Sequence, residues 1–288
     1  MDASIVIPTK NGGALLDRTL RAIFAQRTDK RFEVIAVDSG SNEETLAFLR
    51  AHPVDLVAIP AASFNHGLTR DLGASRAKGE FLLFLNQDAT PGDERWLDRM
   101  LQPMLDDPEV LAVQGHIRER DDMARFFWHS CGPRFYFSSE SVDWIRRYHG
   151  IGFSTVNCAM RRSAWTAHPF GRMDIFEDKG WQKQVHRTGR EIATSDACVL
   201  HTHDYDLAQL RRRCLDEGYG WRLVGERYPW WRSVRDMLLW RNYVRLARGL
   251  VTGKVRKLAE VVYPFMRPRW LYRGNRHAVG LTRASRRT

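Results

Sequence analysis

The sequence of 288 residues has few of the features that mark membrane-spanning, secreted or zinc-binding proteins. It contains no run of about 18 apolar residues, so no transmembrane helix is expected. The first residues, MDASIVIPT, lack the basic and apolar regions of a signal peptide, which makes a cytoplasmic location the expectation. None of the four cysteines belongs to a CxxC pair, which argues against a zinc site and for reduced, buried thiols.

Acidic residues are scarce in the last part of the chain. From Tyr205 to Thr288 there are 20 lysines and arginines against 6 acids, whereas the remainder has 25 against 28. The formal net charge of +11 therefore arises from the tail alone. A module that binds nucleic acid stays an alternative of a different class. However, the acidic body would repel a phosphate backbone, so no nucleic-acid partner is expected.

The tail also combines aromatic with basic residues. Apolar residues from Met237 to Val262 recur at every third or fourth position with arginines between them, which predicts a basic amphipathic helical region. Five of the ten tryptophans lie between Tyr205 and Thr288, and tryptophan favours the lipid headgroup region as arginine favours anionic lipid. We therefore expect an anionic membrane surface as a partner, on the inner face of the cytoplasmic membrane. The alternative is a helical subdomain that packs on the body of the chain.

Short apolar runs alternate with helical patterns over the first 90 residues. Strands are predicted at residues 4–8, 32–38, 54–59 and 80–86. This alternation predicts an α/β fold, a parallel sheet with helices on both faces. Ligands bind beyond the carboxyl ends of such strands. Asp38 ends the second strand and Asp88 follows the fourth, so both carboxylates should face one crevice.

The middle of the chain is less regular. Residues 110–117 and 197–201 are predicted to be strands, and Glu177 with Asp178 opens a helix predicted to end near Gly189. The segment 135–152 is aromatic and punctuated by glycine and serine, which predicts a loop-rich wall for a substrate.

Several motifs, in this order along the chain, resemble one known family. They are SIVIPTKN at 4–11, VDSGS at 37–41, FNHGLTRDLGASRAKG at 64–79, FLNQDATP at 84–91, NCAMRR at 157–162, FED at 176–178 and HTHDY at 201–205. The family is that of the inverting GT-A glycosyltransferases of family 2, and the resemblance is closest to its bacterial rhamnosyltransferase branch. It covers roughly residues 3–206.

The resemblance implies a GT-A fold, in which a Rossmann-like mixed, mostly parallel sheet is flanked by helices. It predicts a catalytic domain over residues 1–204, with a nucleotide-binding half over about 1–115 and an acceptor half over about 116–204. Residues 205–288 are then a basic, mostly helical C-terminal extension. The resemblance also implies transfer of a sugar with inversion and a divalent cofactor, Mg²⁺ or Mn²⁺.

Three carboxylates carry roles by this resemblance. The residue that matches Asp38 contacts the nucleotide base, the one that matches Asp88 is the last acid of the metal motif, and the one that matches Asp178 deprotonates the acceptor hydroxyl. Two positions depart from the family pattern. Asn86-Gln87-Asp88 stands where Asp-x-Asp is usual, which leaves one carboxylate, and Asp71 stands where asparagine is more usual.

The chemistry of other side chains suggests which of them would bind the metal ion and the nucleotide-sugar donor. His203 is the first choice for a further metal ligand beside Asp88, and His201 is the second. Besides Asp38, the candidates for binding the nucleotide are Pro8, Thr9, His66, Arg70 and Gln87. Among these, the forked guanidinium of Arg70 suits a diphosphate, unless it forms a surface ion pair with Asp71 or Glu80.

Four side chains in the second half are candidates for the acceptor side. Asp178 begins a helix, where the dipole favours its ionised form as a catalytic base. Glu177 beside it is either an acceptor-binding acid or a residue that only caps the helix. Asn157 can hydrogen-bond a sugar hydroxyl, and Trp181 is either a stacking platform for a sugar ring or a core residue.

The predicted function is transfer of L-rhamnose from dTDP-rhamnose onto a glycan or lipid-linked glycan acceptor in the synthesis of a bacterial surface polysaccharide such as O-antigen. A related enzyme that uses a UDP-hexose donor is the first alternative. A glycan-binding protein without catalysis is another, because the first acid of the usual metal motif is missing.

Overall fold

The structure is a computed structural model that describes residues 1–276. The end of the predicted basic extension, residues 277–288, lies outside the described residues. The described chain divides into two units. The first unit consists of Met1–Arg120 and Ile151–His201, and the second of Asp121–Gly150 and residues 202–276. The domain boundaries predicted near residues 115 and 204 stay predictions.

An eight-stranded sheet lies at the centre of the first unit. Its strands are β1 Ala3–Thr9, β2 Phe32–Asp38, β3 Val54–Ala58, β4 Phe81–Leu85, β5 Thr90–Pro91, β6 Val110–Arg118, β7 Asn157–Arg161 and β8 Glu191–Leu200. Their order is β3-β2-β1-β4-β7-β6-β8-β5. The strands β1 to β4 run parallel, and β7 runs antiparallel to both of its neighbours. The predicted mixed, mostly parallel sheet is therefore confirmed.

Helices account for most of the remaining described residues. They are α1 Gly13–Phe24, α2 Glu43–Arg50, α3 His66–Arg76, α4 Trp96–Asp106, α5 Phe127–Ser130, α6 Pro133–Tyr136, α7 Ser139–Arg147, α8 Arg162–Ala167, α9 Glu177–His186, α10 Leu207–Leu223, α11 Trp230–Met237, α12 Trp240–Val251 and α13 Leu258–Arg276. No helix of the described chain combines the length and the apolar content that crossing a bilayer requires.

Both faces of the sheet are covered around its central strands β1 and β4, which are almost entirely buried. In β1, Ile5 and Ile7 pack with α1, α2 and α4 on one face, whereas Val6 packs with α3 and α9 on the other. Side chains of successive strand residues point to opposite faces, so a continuous apolar run needs helices on both sides. This arrangement fixes the carboxyl ends of β1, β2 and β4 at one edge.

Asparagine side chains start two of these helices. The Asn42 Oδ1 accepts from the Thr45 N–H at 3.1 Å, as expected for the start of α2. The Asn65 Oδ1 accepts from the Leu68 N–H at 3.1 Å, so α3 begins at His66. This cap brings His66 and Arg70 onto one helix.

The expected loop-rich wall over residues 135–152 is wrong, because α7 occupies half of it. The Ser138 side chain caps this helix at the Ser141 N–H, and Trp144 is buried on its inner face. Serine and glycine at the ends of this helix favour a loop prediction, whereas serine caps helices equally well.

The predicted amphipathic helix of the tail is divided into three. The helices α11, α12 and α13 cover the segment. Gly253, with a positive φ of 65°, lies in the turn that separates α12 from α13. The core of the second unit contains Phe126, Trp128 and Tyr263. The buried Glu260 accepts from the Phe127 N–H at 2.6 Å, so an acid as well as apolar side chains holds this core.

We expect Gly67→Ala to destabilise the first unit. A Cβ at Gly67 would lie 2.0 Å from the carbonyl oxygen of Gly171, so the loop before α9 must shift away from α3. Overpacking of this kind costs about 2 kcal/mol, measurable as a lower urea midpoint of unfolding. The matched control is Gly180→Ala inside α9, where the nearest atom is 3.5 Å away. There alanine should stabilise by up to about 1 kcal/mol, and equal effects of both substitutions would refute the packing argument.

Candidate active site

A cavity of about 180 Å³ lies at the carboxyl ends of β1 and β4. It is lined by Pro8, Thr9, Lys10, Phe64, His66, Arg70, Asn86, Gln87 and Asp88. Five of the six predicted nucleotide-binding residues and the predicted metal-binding acid are in this lining. The parallel strands explain the grouping, because their carboxyl ends meet at the same edge of the sheet.

Asp38, the sixth predicted nucleotide-binding residue, is buried beside this cavity rather than in its lining. Its carboxylate accepts from the Thr9 hydroxyl at 3.0 Å, from the Gly40 and Ser41 N–H groups at 2.9 Å each, and from the Ser41 hydroxyl. Burial alone would raise its pKa, but these hydrogen bonds lower it below the usual value. Asp38 thus holds the turn after β2, and its contact with a base stays a prediction.

Gln87 joins the ends of the two central strands. Its Oε1 accepts from the Lys10 N–H at 2.9 Å and its Nε2 donates to the Lys10 carbonyl at 3.0 Å. Lys10 in turn donates from Nζ to the Ser39 carbonyl at 3.0 Å. The amide of Gln87 therefore fixes the wall of the cavity that follows β1.

Arg70 and Glu177 form a buried ion pair beneath the cavity. The Arg70 Nη1 lies 3.2 Å from Glu177 Oε1, and each side chain is only 5 % exposed. The Arg70 Nη2 donates to Asn86 Oδ1 at 3.1 Å. The alternative of a surface ion pair with Asp71 or Glu80 is therefore wrong, because the guanidinium points inward.

Asp71 has a separate structural role. Its carboxylate accepts from the Trp165 Nε1 at 2.8 Å, the Phe170 N–H at 3.0 Å and the Gly171 N–H at 2.7 Å. A carboxylate offers acceptors only, which suits three converging donors better than the asparagine amide usual at this position.

Glu177 is neither a free cap nor exposed to an acceptor. It is buried, it accepts from the Thr155 hydroxyl at 2.9 Å, and it pairs with Arg70. Burial raises its pKa, but the positive charges of Arg70 and His66 outweigh this, and the pKa is lowered. The acceptor-binding prediction for Glu177 is contradicted by this burial.

Asp178 differs from its neighbour in both exposure and charge. Its side chain is 15 % exposed, and Oδ2 lies 3.6 Å from the Lys179 ammonium. Burial, together with the negative charge of Glu177, raises its pKa although Lys179 opposes the shift. The expectation that the helix dipole would favour its ionised form is thus wrong, because desolvation dominates. A reachable carboxylate with a raised pKa suits a general base.

The backbone just before α9 is held in an unusual conformation. Phe176 has φ 63° and ψ 29°, the left-handed region, which costs a residue with a Cβ about 1 kcal/mol or more. The left-handed conformation of Phe176 turns the chain sharply just before Glu177 and Asp178. The surrounding loop is held at Asn65, whose side chain bonds the Met173 N–H at 3.1 Å and Asp174 at 2.8 Å.

His201, the second choice for a metal ligand, lies beside Asp88, the predicted metal-binding acid. The His201 Nδ1 is 3.4 Å from Asp88 Oδ1, and His201 is the residue that follows β8. His203 is two residues further on, in the second unit, where its ring stacks on Tyr205 with centroids 5.4 Å apart. The role of His203 as a ligand stays a prediction.

Two acceptor-binding predictions are contradicted by burial. Asn157 is fully buried, accepts from the Trp96 Nε1 at 3.0 Å and donates to the carbonyls of His116 and Ala197. Trp181 is 1 % exposed and stacks on Phe153 with centroids 5.0 Å apart, so it is a core residue.

Sequence reasoning missed Lys10, Phe64 and Asn86 in the cavity lining. A signal for Lys10 was present, since it directly follows the strand that ends in Pro8 and Thr9. The contact between Asn86 and Arg70 had no local signal, because 16 residues separate them and only the fold brings them together.

Comparison with known proteins agrees with this geometry. The sequence model of the family described as Glycosyl transferase family 2 matches residues 4–168. The O-antigen chain rhamnosyltransferase RfbN of Salmonella typhimurium is 27 % identical over 76 % of this chain and 72 % of its own length. The O-antigen chain rhamnosyltransferase WbaN of Salmonella anatum is 25 % identical over 75 % and 70 %.

A solved structure shows the same fold. The mannosyltransferase PcManGT of Pyrobaculum calidifontis, in complex with GDP-Man and Mn²⁺, has a TM-score of 0.60 at 18 % identity and covers 96 % of this chain and 87 % of its own. The predicted GT-A fold with a helical C-terminal region is thus confirmed for the described residues.

We expect Glu177→Gln to lower the free energy of unfolding by about 3 kcal/mol, because it leaves the Arg70 guanidinium buried without its counter-charge. Urea unfolding measures this loss. The matched control is Glu109→Gln, whose partner Arg190 is exposed, and it should stay within about 1 kcal/mol of the wild type. Equal losses in the two variants would contradict the importance of the buried pair.

Proposed function

Because the chain belongs to glycosyl transferase family 2, we propose that it transfers L-rhamnose from dTDP-rhamnose, with inversion at the anomeric carbon, onto a glycan or lipid-linked glycan acceptor. The observation that carries the proposal is the cavity at the carboxyl edge of the sheet, which both Arg70 and Asp88 line and which the ion pair from Arg70 to Glu177 connects to the start of α9. Similarity to two O-antigen chain rhamnosyltransferases over three quarters of the chain supports rhamnose as the sugar.

The donor would lie along the lining of this cavity. Pro8 and Thr9 border the nucleoside, with Asp38 fixing their wall through the Thr9 hydroxyl. Arg70 and His66 supply positive charge and hydrogen-bond donors for the diphosphate, whose oxygens accept them well. Gln87 keeps the same wall rigid by its two bonds to Lys10, which limits reorganisation when the donor binds.

In the proposed reaction the acceptor hydroxyl oxygen attacks the anomeric carbon. The bond from that carbon to the diphosphate breaks, dTDP leaves with the electron pair, and the hydroxyl proton passes to the Asp178 carboxylate. Asp178 is suited to this step because it is reachable and largely desolvated. Glu177, held by Arg70, would position Asp178 without taking the proton itself.

The side chains beside the cavity fit a divalent cation. Two ligands of one octahedral ion, each about 2.1 Å from it, are about 3 Å apart, and the 3.4 Å between His201 and Asp88 is close to this. Oxygen donors from Asp88 and a diphosphate suit Mg²⁺ or Mn²⁺. His203, two residues beyond His201, is the first choice of the sequence for a ligand beside Asp88, and we include it in the proposed site. Such an ion would neutralise charge on the leaving diphosphate.

A lipid-linked acceptor made at the inner face of the cytoplasmic membrane would require the enzyme to contact that anionic surface. The product would be a bacterial surface polysaccharide. That the chain binds no nucleic acid stays a prediction.

We expect the purified protein to transfer rhamnose from dTDP-rhamnose in a panel of nucleotide sugars, and Asp178→Asn to slow transfer about a thousandfold. Donor affinity, measured by calorimetry, should stay within a few-fold, because a base acts mainly in the transition state. In the wild type, kcat should rise with pH through the pKa of Asp178, which burial places above the ordinary value of about 3.9.

The control for this variant is Asp196→Asn, which removes an exposed carboxylate and should change neither rate nor binding. Transfer from a UDP-hexose but not from dTDP-rhamnose would overturn the donor and leave the base unaffected. Full activity of Asp178→Asn would overturn the base.

We expect Mn²⁺ to strengthen the binding of dTDP, and His201→Gln to weaken that Mn²⁺-dependent binding about tenfold or more. Calorimetry with and without a chelator measures the effect independently of turnover. The matched control is His52→Gln, whose imidazole lies 3.3 Å from Asp17 in a similar pair on the same unit. If both variants bind dTDP with Mn²⁺ as tightly as the wild type, His201 is not a ligand.

A further inference from the structure

The helix α11 buries two polar side chains and exposes most of its apolar ones. Ser233 and Asp236 are its buried residues. Its exposed apolar residues, together with the residue that ends it, are Trp230 at 64 %, Trp231 at 50 %, Val234 at 39 % and Leu238 at 73 %. Trp230, Val234 and Leu238 are four residues apart and form one stripe along the helix. A helix in water normally has the opposite arrangement.

Polar contacts hold α11 in this orientation. Asp236 accepts from the Ser139 hydroxyl at 2.8 Å and from the Tyr228 hydroxyl at 3.0 Å. Arg232 donates to the buried Glu140 at 2.7 Å and to Asp143 at 3.1 Å. Turning the apolar stripe inward would break these contacts and leave buried acids without partners, so the exposed stripe is a stable feature of the second unit.

The helix α12 shows the same exposure. It packs through Leu246 and Gly249, and a Cβ at Gly249 would lie 2.5 Å from the Phe127 ring. Its outer face carries a stripe at helical spacing, formed by Trp240, Val244, Ala247 and Val251. The apolar periodicity predicted from the sequence is therefore real, but on α12 it faces solvent rather than a core.

Exposed large apolar side chains are concentrated in this part of the described chain. Ten of the eighteen that are exposed lie between Trp230 and Phe265. Such a concentration of exposed apolar side chains on a folded protein marks an interaction site.

The positive charge beside the apolar stripes indicates an anionic partner. Between Trp230 and Arg256 there are seven lysines and arginines and one acid, Asp236. Arg235 and Arg241 are exposed and border a groove of about 570 Å³, which Leu239 between the two helices also lines. Guanidinium groups next to exposed tryptophans suit phosphate headgroups above an acyl layer.

We propose that the exposed faces of α11 and α12, here called the α11–α12 surface, insert into the headgroup region of an anionic phospholipid bilayer. The inference rests on the proposed function only in supplying a reason for membrane contact. The stripes enter to about 5–10 Å, and Arg235 and Arg241 bind headgroup phosphates. A second copy of the chain is the competing occupant, but seven positive charges would repel their own image in such a dimer.

The test is co-sedimentation of the full chain with vesicles of phosphatidylglycerol and phosphatidylcholine in equal parts, and with phosphatidylcholine alone. The wild type should bind the anionic vesicles and bind the neutral ones at least about tenfold more weakly. Leu250→Gln should lower binding about fivefold, and Trp230→Gln combined with Leu238→Gln and Trp240→Gln about a hundredfold.

The matched control is Leu105→Gln, because Leu105 on α4 of the first unit is 48 % exposed and Leu250 is 51 % exposed. It should bind vesicles as the wild type does. Equal binding by the triple variant and the wild type would overturn the proposal. So would a wild-type dimer in sedimentation velocity that Leu250→Gln converts to a monomer, since the surface would then be an interface between copies.

Transfer to a water-soluble acceptor, measured on the same samples, separates this proposal from the proposed function. Vesicle binding without transfer would leave the α11–α12 surface standing and remove the rhamnosyltransferase. Transfer without vesicle binding would support the rhamnosyltransferase and overturn the membrane role of the α11–α12 surface.

Discussion

The buried ion pair between Arg70 and Glu177 is the contact on which the candidate site depends. Both charges are almost fully removed from water, and such a pair is stable only when each partner is held in place. Arg70 also bonds Asn86, so α3, the end of β4 and the start of α9 must meet at one point. Because successive helix residues point about 100° apart, turning Glu177 inward leaves Asp178 directed elsewhere and partly exposed.

The same pair accounts for the unusual metal motif. Asn86 receives a hydrogen bond from a guanidinium that already has its carboxylate in Glu177. A neutral amide satisfies this donor without adding a second buried negative charge. Asp88 is then the acid that remains after β4, and the imidazole of His201, which follows β8, lies 3.4 Å from it. In the proposed site, one carboxylate and imidazoles replace two carboxylates, which leaves less negative charge facing a diphosphate.

The second unit combines a conventional core with helices that reverse the usual distribution of polarity. Glu260, buried beneath α5, receives main-chain N–H groups, while the acids on α7 hold Arg232 of α11. Inward-facing charges thus determine which side of α11 meets solvent, and apolar residues on α11 and α12 stay outside. Such a surface costs free energy in water and is favourable only beside an apolar medium.

The sequence by itself determined six of the eight strands, the carboxyl edge at which Asp38 and Asp88 lie, and the family, because these follow from local periodicity and contiguous motifs. The short β5 and the antiparallel β7 were not predicted. It also placed Asp178 at a helix start. Only the tertiary structure decided that Arg70 faces Glu177, that Asn157 and Trp181 are buried, that His201 adjoins Asp88, and that the periodic stripe of α12 is exposed. Periodicity states which side chains share a face. What that face meets depends on long-range packing and on whether buried charges find partners, and neither is encoded in a local segment.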